Sequence, residues 1–400
     1  CSENGSRAGV EDSGCILGSV CPGRWVLYRQ LPEVSLLNFF IMSISIFNTI
    51  GCGAVGRSRT LTLLAFVVAI LFSSCKKDEA DAKTYEVFLP SNFPAPEYDL
   101  SQNPVTKEGF ELGRKLFYDP IMSRDSTIAC ADCHISFSAF SHPDHAVSHG
   151  IDGLLGKRNA LPVQNLIWQS SYFWDGGVGQ MDFIPLNAIT NPVEMDEDPA
   201  HVVAKLNANA NYRGLFKAAF AGQDTVTGPH MLQALAQFMA MLVSANSRYD
   251  HHVRNEPGGN MSAQELTGLQ VFQEKCATCH ATDLFTDRQY PNNGILNSFT
   301  IDHGRNEVST LPEDVGKFRV PSLRNVALTA PYMHNGKFKT LEAVLEHYAS
   351  GVKDSPTLDP LLKQNGQLGI PLTAGDKEAL LAFLKTLTDQ DFARDVRFQK

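Results

Sequence analysis

The sequence predicts a mainly α-helical protein built from two similar halves, and three observations lead to this prediction. A pentapeptide with the pattern C-x-x-C-H occurs twice, at residues 130–134 and 276–280. Apolar residues at helical spacing precede each copy and return in a later segment. A polar, glycine-rich stretch at residues 255–260 separates the halves. We therefore expect two domains, residues 101–254 and residues 255–400.

The repeated pentapeptide has the spacing of a c-type haem attachment site. Two thiols three positions apart can bond the two vinyl groups of one haem, and the next histidine can then ligate the iron. A structural zinc site would need four converging ligands, and a redox-active C-x-x-C pair would not need a second copy. The residues concerned are Cys130, Cys133 and His134 in the first half and Cys276, Cys279 and His280 in the second.

This chemistry specifies the fold further. Helix, attachment motif, loop and closing helix follow one another twice along the chain, which is the pattern of cytochrome c. The sequence thus predicts two cytochrome c-like haem domains, packed around an interdomain site and carrying two covalently bound haem c groups.

Composition limits the class of partner. The chain has 400 residues, of which 43% are hydrophobic, enough for two compact domains. The formal net charge is -9, from 34 basic and 43 acidic residues. An acidic protein is a poor nucleic-acid binder and suits the docking of a basic electron carrier.

The first 75 residues have the features of an export signal. Residues 1–41 show no periodic pattern, and we expect them to be an upstream extension, with the true start near Met42. Arg57 and Arg59 then precede an apolar run of about twelve residues, too short for a comfortable membrane span.

The end of this signal resembles a bacterial lipobox, because small residues lead into Cys75. We expect Cys75 to carry a lipid as the only membrane attachment, with an ordinary signal peptide or a short anchor helix as alternatives. Residues 76–100 have the composition of a tether. The protein would then act in the periplasm or cell envelope.

Periodicity places the helices that surround the motifs. A capping box, Ser262 with Glu265, opens the helix that leads into the second motif. Residues 135–160 and 281–335 are expected to be rich in loops. The other predicted helices cover residues 107–118, 199–207, 212–221, 229–244, 340–348 and 373–387.

Further segments carry a family resemblance. Together with both C-x-x-C-H motifs, residues 173–176 (FWDG), 191–195 (NPVEM), 320–325 (VPSLRN) and 331–336 (PYMHNG) are similar to the bacterial di-haem cytochrome c peroxidases and their MauG-like relatives. The similarity covers about residues 100–390, in the family's order and spacing.

The resemblance implies a role for each half. The haem ligated by His134 would be the peroxide site, and the haem ligated by His280 would take in electrons. Glu194 follows Trp174 by twenty residues, the position of the family's distal glutamate. Cleavage of the O–O bond needs a base and then an acid, and one carboxyl group can be both. Trp174 would lie between the haems as an electron relay, or simply be a core aromatic.

The resemblance also implies a calcium ion between the domains. Asn159, Thr329 and Pro331 match positions around it, the last two through backbone carbonyls, and oxygen ligands suit that cation. Composition and spacing alone would not have indicated this site. Family members are often homodimers.

The resemblance also implies a candidate distal ligand for the first haem. His149 lies fifteen residues after His134, close to the place of a removable sixth ligand that blocks peroxide until the haem pair is reduced. His142 and His145 are rivals, and a solvated loop histidine is the plain alternative.

The second haem departs from the peroxidase pattern. Tyr348 lies fourteen residues after His334, where peroxidases have a methionine and the MauG-like branch has a tyrosine. A phenolate would stabilise ferric iron. Met333 and His347 are the other candidates. Nearby, Arg324 could hold a haem propionate or equally form a structural ion pair.

Three functions follow from these residues. The first is reduction of hydrogen peroxide with electrons from a small cytochrome c or a cupredoxin, and Glu194 favours it. The second is a MauG-like oxidase that modifies a partner protein, which Tyr348 favours. The third is a non-enzymatic di-haem electron carrier, which would have no use for Glu194.

Overall fold

A computed structural model describes residues 85–400 and confirms a mainly helical protein. The helices of the first half are α1 (Lys107–Tyr118), α2 (Cys130–Cys133), α3 (Ile184–Thr190), α4 (Pro199–Ala208), α5 (Ala210–Ala219), α6 (Gly228–Met241) and α7 (Arg248–Val253). Those of the second half are α8 (Ala263–Lys275), α9 (Asn306–Ser309), α10 (Leu341–Glu346), α11 (Ala374–Lys385) and α12 (Gln390–Arg394). One short hairpin joins β1 (Lys363–Gln364) to β2 (Gln367–Leu368).

Every helix predicted from periodicity is present, with ends that differ by a few residues at most places. The capping box of Ser262 and Glu265 opens α8 as expected. The prediction for residues 340–348 needs a correction, because α10 ends at Glu346 and the chain continues as a π-helical turn, His347–Gly351. Helices α2, α3, α7, α9 and α12 were not predicted, since each has seven residues or fewer and too few turns to show a period.

The two halves repeat one packing arrangement. In each half, the long helix before the motif crosses the closing helix of that half, α1 with α6 and α8 with α11. A glycine lies at each crossing. A Cβ at Gly113 would be 1.9 Å from the carbonyl oxygen of Ala234, and one at Gly268 would be 2.0 Å from that of Ala379. The helices approach this closely only because both glycines lack a side chain.

Two main hydrophobic clusters fill the interior. The first contains Phe110 and Phe238 and surrounds α1 and α6, whereas the second contains Phe272 and Phe383 and surrounds α8 and α11. The C-terminal α12 returns to the first cluster through Phe392. The described residues form one compact unit, and the predicted division into haem domains at residue 254 remains a prediction.

The predicted tether, residues 76–100, is partly packed against the body of the protein. Tyr85 N donates to the Val105 carbonyl at 2.8 Å, and the Phe93 ring lies edge-on against Trp168 with 4.9 Å between ring centroids. A free tether would therefore have to end before Tyr85, because residues 85–100 bury aromatic side chains. Within residues 85–400, no helix has the length and apolarity to cross a membrane.

The export signal, the lipobox and Cys75 all lie outside the described residues. The predictions made for them remain predictions.

The glycine crossings give a test of the repeated packing. We expect Gly268→Ala to lower the free energy of unfolding by about 1–3 kcal/mol, because the added methyl group meets backbone and forces α8 away from α11. Denaturant unfolding of the haem-loaded protein measures this. Gly214→Ala in α5 is the matched control, since a Cβ there has nothing within 4 Å. It should raise stability by about 0.5–1 kcal/mol, and equal effects at both positions would contradict the close crossing.

Candidate haem pockets

In both motifs a backbone carbonyl orients the histidine ring. His134 Nδ1 lies 2.8 Å from the carbonyl oxygen of Phe140, and His280 Nδ1 lies 3.0 Å from that of Phe285. Donation from Nδ1 leaves Nε2 free for a metal. Burial lowers the pKa of both rings, which favours the neutral form that metals bind.

The two residues that supply these carbonyl acceptors have an unusual backbone conformation. Phe140 and Phe285 have φ angles of 60° and 55°. A bulky residue in the left-handed region is a genuine outlier, and such strain concentrates at functional sites. Both motifs share it, so the loop after each histidine is shaped to aim one carbonyl at the ring.

The four motif cysteines form no disulfides with one another. Burial raises the pKa of Cys130 and Cys276 to about 12, and that of Cys133 and Cys279 to about 11. Neutral thiols beside an oriented histidine fit the addition of thiols to the vinyl groups of haem.

The second motif opens onto a cavity of about 540 Å³, within the usual range for cofactor sites. Its wall is mostly apolar, as a porphyrin needs. Among the lining residues are Cys276, Cys279, His280, Phe272, Val320, Leu323, Tyr332, Leu345, Leu380 and Leu384. The donor set and the wall therefore fit a haem.

Two of the three candidate distal residues of this pocket line the cavity. These are Tyr348 and Met333. His347 is not among the lining residues, and its Nε2 lies 3.0 Å from the carbonyl oxygen of Asn293. The Met333 sulfur accepts a hydrogen bond from Asn293 Nδ2 at 3.3 Å. Burial raises the pKa of Tyr348 to about 12.

The π-helical turn after α10 places Tyr348 in the cavity wall. The Tyr348 carbonyl accepts from Ile370 N at 2.7 Å, and a Cβ at Gly369 would lie 2.7 Å from that oxygen. Gly369 has a φ of 91°, a conformation suited to glycine. Extra residues in a helical turn often mark functional sites, and Tyr348 lies within this turn.

The hairpin of β1 and β2 forms part of the rim of this cavity. Its turn is Asn365-Gly366, with φ angles of 52° and 79°, as in a type I′ turn. Sequence analysis missed this hairpin, although the Asn-Gly pair is a known signal for one.

The first motif lies beside Glu194. Burial is the main reason why its two thiols have a raised pKa, and the Glu194 charge adds to the effect at both Cys130 and Cys133. Glu194 Oε1 accepts from Asn191 Nδ2 at 2.9 Å. Burial raises the pKa of Glu194 to about 7, against the opposing effect of the Asn191 hydrogen bond. A carboxyl with this pKa can hold or release a proton at neutral pH.

The loop that follows the first motif supports the Glu194 segment. Ile151 N donates to the Glu194 carbonyl at 2.7 Å. A Cβ at Gly150 would lie 2.2 Å from the Val193 carbonyl oxygen, so only glycine allows this approach. Cys133 Sγ is 3.6 Å from the carbonyl oxygen of His149. The loop therefore ties together Cys133, His149 and Glu194.

All three candidate histidines of the first haem lie in one cluster. The His145 ring stacks on His142 at 4.1 Å and meets His149 at 4.6 Å, between ring centroids. His142 is buried, and burial lowers its pKa to about 4 with help from the neighbouring rings. His149 is exposed. The cluster does not single out one ligand, so His149 remains a prediction.

Trp174 lies between the two motifs. It is buried, lines the second cavity and packs against Leu161, whose backbone lies beside His134. Its Nε1 donates to the Asn159 carbonyl at 2.9 Å, and its ring meets His334 edge-on at 6.4 Å. Trp174 thus belongs to the wall of the second cavity, and its position between two haems and its role as an electron relay remain predictions.

The predicted calcium positions share the second cavity, because Asn159, Thr329 and Pro331 all line it. Asn159 Nδ2 donates to the carbonyls of His145 and Ala146 at 3.1 and 3.2 Å. Calcium takes about 6–8 oxygens, and these residues supply a few neutral ones. Nowhere in residues 85–400 do three His, Cys, Asp or Glu side chains form a metal-binding group. Calcium remains a prediction.

Arg324 forms a structural ion pair. It is fully buried with Asp250 of α7, and its Nη1 and Nη2 donate to the two carboxylate oxygens at 2.8 and 2.6 Å. Its guanidinium also lies 4.3 Å from the centre of the Phe93 ring. The residue does not line the cavity, so of the two alternatives the ion pair is the one observed.

The buried pair of Arg324 and Asp250 should contribute strongly to the free energy of unfolding. We expect Arg324→Gln to lower the free energy of unfolding by about 3–5 kcal/mol, because it leaves the Asp250 charge buried and unpaired. Arg397→Gln is the control, since the arginine of the Arg397–Asp395 pair is 60% exposed, and it should change stability by no more than about 0.5 kcal/mol. A similar small effect of both substitutions in denaturant unfolding would refute the role of the buried pair.

Known proteins share these features. The family described as "Di-haem cytochrome c peroxidase" matches residues 107–258. The chain is 32% identical over 301 residues to the methylamine utilization protein MauG of Methylorubrum extorquens, covering 74% of this chain and 82% of that protein. It is 30% identical over 338 residues to the cytochrome c551 peroxidase of Pseudomonas aeruginosa, covering 82% and 90% respectively.

A solved structure of a related protein has a similar fold. A MauG-like protein associated with microbial copper homeostasis superimposes with a TM-score of 0.71 at 32% identity, over 79% of this chain and 99% of that one. Two c-type attachment motifs, the second of which opens onto an apolar cavity, are the features of a di-haem protein of the cytochrome c class. The chain belongs to the di-haem cytochrome c peroxidase family, and membership implies two haem c groups.

Proposed function

We propose that this protein is a di-haem c-type peroxidase that reduces hydrogen peroxide to water. Its electrons would come from a small cytochrome c or a cupredoxin, and it would act in the periplasm or cell envelope. The observation that carries the proposal is the half-buried carboxyl group of Glu194 beside the first motif, with its pKa raised to about 7. A peroxidase needs such a group, and an electron carrier does not.

In this proposal each motif holds one haem. Cys130 and Cys133 attach the first haem, and His134 ligates its iron. The residues of the second motif do the same for the other haem. When bound, the haem irons supply the redox chemistry that delivers two electrons to peroxide.

Glu194 would move the proton. As a carboxylate it takes a proton from one oxygen of hydrogen peroxide, and as an acid it returns that proton to the other oxygen as the O–O bond breaks. With two electrons and two further protons, two water molecules leave. A pKa of about 7 suits both steps, because neither proton transfer is then strongly uphill. The hydrogen bond from Asn191 holds the carboxyl in place.

Electrons would reach the first haem from the second. Trp174 lines the second cavity and its cluster includes Leu161, whose backbone lies beside His134, which supports a role as a relay. The net charge of -9 favours a basic donor protein.

The pH dependence of turnover tests the proposal. Because burial raises the pKa of Glu194 to about 7, about a tenth of it is ionised at pH 6 and about nine tenths at pH 8. We expect peroxide-dependent oxidation of a reduced small cytochrome to rise with pH through this range. Glu194→Gln should lower the rate by about 10²–10⁴ and remove this limb of the profile.

Glu197→Gln is the matched control. Glu197 lies three residues further on, but Lys205 lies beside it, and despite its burial this partner keeps the pKa of its carboxyl low. The Glu197→Gln variant should fold and keep both the wild-type rate of peroxide turnover and its pH profile. Undiminished peroxide turnover by Glu194→Gln would rule out the proposed role.

Tyr348 is proposed as the distal ligand of the second haem. It lines the cavity, whereas the His347 ring is bound to the Asn293 carbonyl. We expect Tyr348→Phe to abolish phenolate-to-iron charge-transfer absorption and to raise the midpoint potential of that haem, because a phenolate stabilises ferric iron. Met333→Leu should leave both properties unchanged. The reverse pattern would identify Met333 as the ligand.

A second candidate function is a MauG-like oxidase that modifies a partner protein. Two observations favour this function. Tyr348 lies in the cavity wall, and the sequence is 32% identical to that of a MauG protein. The same turnover assay distinguishes the two functions when it is done on the protein as isolated and again after one-electron pre-reduction. Turnover only after pre-reduction indicates a peroxidase gated by a removable ligand, with His149 the first candidate. Turnover in both states indicates an open first haem, closer to the MauG-like branch.

A further inference from the structure

Arg319 is a buried cation without an anionic partner in the described part of the chain. It is 7% exposed. Its Nε donates to the Phe173 carbonyl and its Nη1 to Gln169 Oε1, both at 3.0 Å. A guanidinium carries five N–H groups, so these acceptors leave three for another group. A buried charge is costly unless it is paired.

Arg319 belongs to the wall of the second pocket. Arg319 lines the same cavity as Cys276 and His280. Its backbone N donates to the Trp174 carbonyl at 2.7 Å, and the backbone of Pro321, two residues further on, lies beside His280. Arg319 is therefore fixed between the aromatic residue that separates the pockets and the histidine of the second motif.

The surrounding charges do not neutralise it. Burial lowers the pKa of Arg319, and the groups that oppose this effect are tyrosines, not carboxylates. The other cation in the wall, Lys275, already has a partner in Asp376 at 3.0 Å. Arg324, the neighbouring buried arginine, is paired with Asp250. Arg319 is thus the cation that a bound anion would meet.

We propose that Arg319 binds a propionate group of the haem held by the second motif. This rests on the proposed presence of haem in that pocket, since a haem brings its own carboxylates into an otherwise apolar space. A guanidinium and a carboxylate match in two parallel hydrogen bonds. Arg319 is therefore a positioning residue, which holds the haem edge near Trp174 and keeps its propionate ionised.

The pairing has a redox consequence. With Arg319 present, the propionate charge is neutralised at every pH at which the protein works, so the midpoint potential of the second haem should change little with pH. Without the guanidinium, an unpaired propionate stabilises ferric iron and lowers the potential. Its pKa also rises because of burial, so the potential should then climb as the pH falls.

Spectroelectrochemical titration of the haem-loaded protein between pH 5 and pH 8 tests this. Arg319→Gln should lower the midpoint potential of the second haem at pH 8 and give it a clear pH dependence, while the first haem changes little. Arg319→Lys keeps the charge and should restore a nearly flat profile. Lys275→Gln, which removes a cation of the same cavity wall that already has a partner, should also leave the profile flat.

Three results would overturn the inference. One is a wild-type profile in Arg319→Gln, and another is a change confined to the first haem. The third is an equal slope in Arg319→Lys and Arg319→Gln, which would show that geometry and not charge matters. If Arg319→Gln loses its haem, the profile of Arg319→Lys decides alone, flat in support and sloped against.

The measurement is independent of turnover. A protein with no peroxidase activity but with these potentials would refute the proposed reaction and support the Arg319 pairing. A wild-type protein that lacks covalent haem at Cys276 and Cys279 would refute both.

Discussion

One hydrogen bond, made twice, fixes the chemistry of this protein. In each motif the histidine Nδ1 lies against the carbonyl of a phenylalanine with positive φ, Phe140 or Phe285. This contact sets the tautomer and direction of the ring and leaves Nε2 for a metal. The rest of each half, the crossing helices with glycine at the contact and the aromatic core, holds that strained loop in place.

The attachment sites are alike, and the pocket walls differ. The first pocket has Glu194 and a cluster of histidines beside its thiols, groups that handle protons. The second has Tyr348 and Arg319 in its wall, a phenol and a guanidinium that we propose act on the potential of a bound haem. A division of labour between a peroxide haem and an electron-accepting haem, as proposed, needs this asymmetry, because identical haems in identical walls would have identical properties.

Rigid contacts connect the pockets. Trp174 joins the wall of the second cavity to the segment beside His134. The buried pair of Arg324 and Asp250 joins the last helix of the first half to the second half. Electron transfer between two haems depends on a constant separation, and a fully desolvated bidentate pair with aromatic contacts provides that stiffness.

The sequence by itself determined the haem attachment motifs and the main helices. The C-x-x-C-H spacing, the long periodic helices and the Ser262 capping box depend on residues close in the chain. The location of Glu194 was available only through family resemblance, because nothing near it in the chain indicates what it faces. Tertiary structure alone decided between neighbours: His347 or Tyr348 in the cavity, and Arg324 paired within the protein while its near neighbour faces the pocket. The physical reason is that residues close in the chain meet different distant partners, such as the Asn293 carbonyl for His347 and the Asp250 carboxylate for Arg324, and the sequence does not reveal these partners.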